Sequence, residues 1–454
     1  MAQRSFRSVF LALALAAAPV QAAVADTLSD VLVTAYRNSN LLAANRAVLR
    51  ARDEGVAQAL SRLRPALSAS SRLTDSDEVG LDNTIGLTLD LLVFDFGRTR
   101  LGVASAKETV LAARYALVDA EQEVLLDAVT AYMDMRRERQ TVALAENSLR
   151  LNQQELRAAR DRFEVGEITR TDVSQAEAAV AEAQSTLAAS RGQLEIARTL
   201  FNLAVGVYPG DLQVAPPMPE IPGNLEAATR IGVQTHPTIR QAQHLVRAAD
   251  LNVEGARAAM RPRLDLQGTV SRSEDRDFDG GRNDATASLN LNVPIYQGGQ
   301  LRSILRENIA NSEESRANLL QNTLLIEDEV TRAWAQLQVA RASIAARRQQ
   351  IRAEELAFEG VREEAKLGAR TTLDVLDAEQ DLLEARNNLV GAQRDEYVAV
   401  YTLLSAMGLL TVEHLGLSIE GYDPTVNYNK VRNAPARSVR GDRLDRVIKR
   451  TGGN

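Results

Sequence analysis

From Val173 onward the chain sets a large apolar residue at every seventh position: Val173, Val180, Leu187, Leu194 and Phe201. A small residue follows three places after each, at Ala176, Ala183, Ser190, Ala197 and Ala204. The same alternation returns about two hundred residues later. There Val375, Leu382, Leu389 and Leu403 interleave with Ala378, Ala385, Ala392, Ala399 and Ala406, and Glu396 is the one break. A large/small heptad this regular predicts close-packed, supercoiled helices. Each run opens behind a glycine turn: F-E-V-G-E-I-T-R-T-D-V-S-Q-A-E-A from Phe163, and A-K-L-G-A-R-T-T-L-D-V-L-D-A-E-Q from Ala365. Gly166 matches Gly368 and Asp172 matches Asp374 at a constant offset, so the chain carries two copies of one helical hairpin.

Elsewhere the period changes to two. Ile85, Leu87, Leu89, Leu91 and Val93 take one face of a strand and Thr84, Gly86, Thr88 and Asp90 the other. Leu264, Leu266, Gly268 and Val270 alternate with Asp265, Gln267, Thr269 and Ser271; Ala287, Leu289, Leu291 and Val293 alternate with Thr286, Ser288, Asn290 and Asn292. With a weaker Ser- and Ala-rich strand from Pro65 to Leu73, these predict two hairpins, at about 65–93 and 262–296. Their strands of roughly 9–11 residues have the length of tilted membrane-crossing strands. A small soluble sheet with one wet face is the alternative, but no third layer remains in the sequence to cover the apolar faces.

The two copies share one order of elements. A helix from about Thr27 to Leu63 ends at Arg64-Pro65, and its counterpart from about Leu225 to Arg261 ends at Arg261-Pro262, because proline stops a helix and favours extended backbone before it. Each hairpin then passes through V-F-D-F-G-R (from Val93) or I-Y-Q-G-G (from Ile295) into long helices at about 98–163 and 168–205, and at about 299–367 and 371–408. At about 1.5 Å per residue the first of each pair runs about 100 Å and needs neighbours of equal length. Repeat 1 thus covers 26–205 and repeat 2 covers 225–417. A Pro-rich linker (206–224) joins them, and a basic segment (418–454) with eight Lys or Arg against three Asp after Gly421 reads as a flexible, solvated tail.

Composition narrows the class. Aromatics are only 4% and the net charge is −7, a mild bias that does not call for nucleic acid. Arg4 and Arg7 precede an apolar run from Val9 to Ala18, and Ala23-Val24-Ala25 fits a small-residue cleavage site, so residues 1–25 read as a signal peptide for export. There is no cysteine, hence no disulfide, no thiolate-bound metal and no lipidated cysteine. No other apolar run reaches the length of a membrane helix. Asp275, Asp277, Asp279 and Gly280 open a calcium-loop pattern that fails at Thr286, where a bidentate Glu is needed. That segment reads as a charged external loop. The three histidines, His236, His244 and His414, form no H-E-x-x-H, and no phosphate loop, nucleophile elbow or dinucleotide fingerprint occurs. No enzyme and no cofactor are expected.

The signal peptide, the doubled order of helix, hairpin, long helix, turn and long helix, the V-F-D-F-G-R and I-Y-Q-G-G junctions and the two glycine turns together resemble the TolC-type outer-membrane efflux family, over nearly all of the chain from about Thr27 to Leu417. The resemblance implies a mixed α/β membrane protein. It would be a homotrimer whose subunits give four strands each to one 12-stranded outer-membrane β-barrel, continued into the periplasm by a long α-helical coiled-coil barrel. It implies a passive exit duct for a tripartite efflux pump or type I secretion system, in the outer membrane of a Gram-negative bacterium, working with a periplasmic adaptor and an inner-membrane transporter. The physics concurs, since four strands cannot close a barrel and an open edge cannot face lipid. A periplasmic coiled-coil adaptor or scaffold is the rival reading; it predicts one hairpin interrupting β-domains. An exported hydrolase would need a catalytic constellation.

The resemblance also assigns roles at the turns. Asp374 and Asp377 match aspartates that face the tunnel axis; they lie at i and i+3, and three copies would stack rings of carboxylates that favour cations. Arg370 matches a gating arginine that holds the second hairpin to the first turn, with Thr171 and Asp172 as its partners. Ala365 departs from the pattern, standing where the family's best-known member has a latch tyrosine. Asp374 has a second reading, as a negative charge at a helix N-terminus. Gly166 and Gly368 are turn residues under either reading.

Overall fold

The computed structural model describes residues 27–76, 80–275, 281–432 and 443. The expected signal peptide, residues 276–280 of the charged loop and most of the basic tail lie outside these. The elements run α1 (Leu28–Asn38), α2 (Asn40–Ser61), β1 (Ala66–Ser76), β2 (Gly80–Phe94), α3 (Arg98–Glu164), α4 (Arg170–Val205), α5 (Leu225–Thr235), α6 (Pro237–Ala258), β3 (Arg263–Asp275), β4 (Arg282–Asn292), α7 (Gln300–Lys366), α8 (Thr372–Ala406) and α9 (Thr425–Val431).

The opening helix of each repeat, expected as one, is two. Ser39 leaves the helical region at φ −63°, ψ 117°, and its hydroxyl caps α2 by accepting from Leu42 N. His236 does the same before Pro237, which occupies the first turn of α6 where its missing N–H costs nothing. The break lets the short first helix turn onto the end of a long one: Asn38 Nδ2 donates to Val205 O at 3.4 Å, and Gly408 lies so close to His236 that a Cβ there would sit 2.7 Å from its Cα.

The four strands form one antiparallel sheet in the order β1-β2-β3-β4. Register decides its faces, because directly paired residues point the same way. Leu67 pairs with Leu89, Leu87 with Val270, Leu91 with Leu266 and Leu266 with Leu289, giving one continuous apolar face. Leu67, Leu87, Val270, Leu289 and Leu291 are exposed on it. On the opposite face Gln267 Nε2 donates to Asp90 at 3.0 Å. One expectation, the strand length, needs correction. β2 and β3 are 15 and 13 residues long, beyond the expected length, and the register shifts between Leu92 and Phe94. Phe94, not Val93, therefore pairs with Leu264. β1 and β4 each keep one edge without a partner strand.

At the sheet-to-helix junctions Phe96 (φ 53°) stands where the second copy has Gly298 (φ 58°). The first copy compensates with a cap the second lacks: the Asp95 carboxylate accepts from Gly97 N at 3.1 Å and Thr99 N at 2.7 Å. α3 and α7 are 67 residues each, about 100 Å at helical rise. α3 packs against α2, α4, α6 and α8, and α7 against α5, α6 and α8.

The core lies mid-length, where α1, α2, the middle of α3 and the ends of α4 and α8 converge on Leu42, Leu125, Tyr132, Phe201, Leu403 and Leu404. The segment joining the repeats is pinned to it: Tyr132 donates to Gln213 O at 2.7 Å and Tyr397 to Pro216 O at 3.2 Å. The expected flexible tail is folded as far as Arg432. Tyr422 and Tyr428 pack on the core beneath the guanidinium groups of Arg46 and Arg114, and Asn427 donates to buried Asp53 at 2.8 Å. Tyrosines among the basic residues supply the apolar area that a solvated tail lacks. Among the described residues no helix is long and apolar enough to cross a membrane.

Candidate functional site

The far ends of the two hairpins are built alike. α3 stops at a turn in which Gly166 N donates to Phe163 O and Glu167 N to Arg162 O; α7 stops with Gly368 N on Ala365 O and Ala369 N on Glu364 O. This paired pattern needs a left-handed residue, and Gly166 (φ 80°) and Gly368 (φ 77°) supply it. Space is not the reason for glycine, since a Cβ at either position meets nothing within 4 Å.

The returning helices then start on matching capping boxes. Asp172 Oδ2 accepts from Thr169 N at 2.8 Å and Thr169 Oγ1 at 2.7 Å, while Thr169 Oγ1 accepts from Asp172 N at 3.4 Å. Thr371 and Asp374 repeat this at 2.8, 2.8 and 3.2 Å. These bonds hold both aspartates below the usual carboxylate range, Asp172 chiefly through the Thr169 side chain and Asp374 chiefly through the Thr371 backbone. Of the two readings of Asp374, the capping one is realised within the protomer; the carboxylate remains charged while it caps.

Asp377, one turn further on, is exposed and lines a groove between α4 and α8 with Gln175, Glu182 and Gln380. Arg370 stands where the first turn has Ile168, and its Nε donates across its own turn to Glu364 at 2.9 Å. The structure does not bring Arg370 to Thr171 or Asp172 within one chain. Thr171 is exposed and Asp172 is engaged by Thr169.

Each hairpin is cross-linked by ion pairs, Arg160–Glu177 at 2.7 Å and Arg191–Glu146 at 2.9 Å in the first, Arg386–Glu355 at 2.9 Å and Arg341–Glu396 at 3.3 Å in the second. The last explains the heptad break at Glu396. Between the hairpins, Arg394 Nε meets Asp134 at 2.7 Å and the buried Glu379 of α8 accepts from Ser148 and Asn152 of α3. Sequence reasoning missed this buried polar cluster. Its signal is a second stripe on α8, Thr372, Leu376, Glu379 and Leu383, facing the small-residue stripe Ala145, Ser148, Asn152 and Ala159 of α3.

The duplicated helical hairpins and the open sheet can now be compared with known proteins. The model of the outer membrane efflux protein family matches residues 31–207 and 233–409, one match on each repeat. The chain belongs to the outer membrane efflux protein family. This efflux protein is 37% identical over 420 residues to the outer membrane efflux protein BepC of Brucella suis, covering 91% of this chain and 92% of that one. It is 25% identical over 353 residues to the alkaline protease secretion protein AprF of Pseudomonas aeruginosa, covering 76% and 73%. In fold it is similar to the CmeC outer membrane channel of Campylobacter jejuni, with a TM-score of 0.75 at 17% identity and 89% of each chain covered. Its role is that of an outer-membrane exit duct in export. The adaptor reading falls with its prediction of a single hairpin, since this chain carries two hairpins and one four-stranded sheet.

Proposed function

We propose that three copies of this efflux protein assemble into one closed duct. Their sheets form a 12-stranded barrel in the outer membrane of a Gram-negative bacterium, and their helices form a tunnel through the periplasm. The observation that carries the reading is the sheet itself: β1 and β4 have free edges, and an apolar face is left uncovered by any layer. Unpaired backbone groups are costly in lipid, so only neighbouring copies can supply the missing ladder. The helices support the same assembly. Ile196, Leu200 and Leu203 are exposed along one side of α4, and Leu320, Leu324, Val339 and Leu356 along one side of α7, at the two outer flanks of the protomer.

The duct is passive and holds no cofactor. Energy and cargo selection come from an inner-membrane transporter joined through a periplasmic adaptor, in an efflux pump or a type I secretion system. The glycine turns form the periplasmic mouth. Asp377, with the charged Asp374 behind it, makes the mouth favour cations. Arg370 exchanges its Glu364 partner for Thr171 and Asp172 of the first turn when the mouth is latched. Planar-bilayer recording on the purified full chain tests both levels. A cation-selective conductance is expected, and Arg370→Ala is expected to raise its leak. An absence of channels contradicts the duct, and an unchanged leak in Arg370→Ala contradicts the latch.

A further inference from the structure

Glu379 is buried to 5% exposure between the two hairpins, two turns into α8. Its Oε1 accepts from Ser148 Oγ and Asn152 Nδ2 of α3, each at 3.1 Å. Asn152 is oriented for this by a second bond, Nδ2 to Ser148 O at 3.0 Å. Oε2 has no hydrogen-bond partner, and the side chain borders the groove between α3, α7 and α8. An acid in this position stabilises the contact when neutral and opposes it when charged, because a buried carboxylate with one bare oxygen costs far more than a buried carboxyl.

The charges around it do not cancel that cost. From α3 comes Glu155, which disfavours ionisation further, and from α7 comes Arg362, which favours it; these two are themselves paired at 3.8 Å. Also on the groove, Arg386 of α8 is taken by Glu355 of α7 at 2.9 Å, and Arg352 and Glu359 offer one charge of each sign. On the α4 side, Glu182 and Asp377 border the neighbouring groove with Ser148 and Asn152, and both are negative. Burial dominates and pushes Glu379 up to about 7 from 4.5, against the Ser148 bond. Separating α8 from α3 wets the group and restores its ordinary value. Between 4.5 and about 7 the packed arrangement therefore holds a proton that the separated one lacks, so packing weakens as pH rises through that window.

We propose that Glu379 is a positioning residue of the duct and a proton-dependent lock: as a neutral acid it holds the second hairpin on the first, and its ionisation releases α8 so that the mouth opens more readily. The lock rests on the exit-duct reading.

The test uses the full chain in planar bilayers at fixed salt, with pH as the variable. Leak through the wild-type protein is expected to rise with pH, with a midpoint between 4.5 and about 7. Glu379→Gln, which keeps shape and hydrogen bonding without an ionisable group, is expected to stay at the low-pH leak throughout. Ser148→Ala removes a donor to the anion and is expected to move the midpoint to higher pH, a shift that a merely structural role does not produce. Because the chain has no cysteine, spin labels at Gln154→Cys on α3 and Gln380→Cys on α8 read the hairpin separation directly, with the same midpoint expected. A pH step that survives in Glu379→Gln, or a Ser148→Ala midpoint that stays or falls, overturns the lock while leaving the duct intact. A label distance that does not change with pH also overturns it. Failure to form channels in any variant, wild type included, overturns the duct reading itself.

Discussion

α3 and α7 hold the same place in the two repeats and have the same length, yet they live in different surroundings. α3 is buried at intervals from Val103 to Ala159, enclosed by α2, α4, α6 and α8. α7 is buried chiefly in its middle, from Ile326 to Ile344, and keeps Leu320, Leu324, Val339 and Leu356 in solvent. A duplicated sequence has thus given an inner helix and an outer one. The inner helix is held on several sides within the chain, whereas the outer one keeps an apolar side exposed, the side that the proposed assembly would cover. The two glycine turns show the opposite case, since the glycine geometry and the capping box are the same in both copies while side chains around them differ, Arg370 against Ile168 among them.

The largest expected effect comes from the inner helix. Leu125→Ala removes a side chain with no exposure and is expected to cost about 2–5 kcal/mol of protomer stability. Leu324→Ala on α7 is expected to stay within about 0.5 kcal/mol. Denaturant midpoints of the dissociated subunit in detergent measure both, and equal losses would remove the distinction. Next comes Leu324→Glu combined with Leu356→Glu. These changes are expected to leave the protomer folded and to abolish its association, read as a fall in mass by light scattering. The smallest effect is local. Thr169→Ala and Thr371→Ala are expected to fray the first turns of α4 and α8 alike, read as faster amide exchange confined to those turns. Because both aspartates are held below 3.8, the caps are present above that value and are lost only as pH falls through the lowered one. Fraying in one copy alone would show that the turns are not equivalent.

Much of the fold was legible because its signals are periodic. The heptad positions Leu187, Ala197, Phe201, Val375, Leu382 and Ala385 are buried, and the period-two runs pair in a register that collects their leucines on one face. What escaped is not periodic. Ser39 breaks a helix with no proline beside it, only a hydroxyl that can cap. Phe96 adopts a left-handed backbone that its sequence disfavours, held by the Asp95 cap. Tyr422 and Tyr428 fold a segment whose charge reads as a tail. Glu379 stands between Leu376 and Leu383 on its stripe, and the burial that raises its pKa comes from packing on α3, far away in sequence. At the turns, residue types revealed the glycine geometry, whereas the capping by Thr169 and Thr371 emerged only from the structure. The pairing of Arg370 with Glu364 came from geometry alone.

On the proposed assembly, one chain is a third of a channel. The mass of the protein extracted in mild detergent from outer membranes, determined by native mass spectrometry, tests it most directly. A species of three subunits, recovered only with the membrane fraction, is expected. A single subunit recovered without detergent would contradict it.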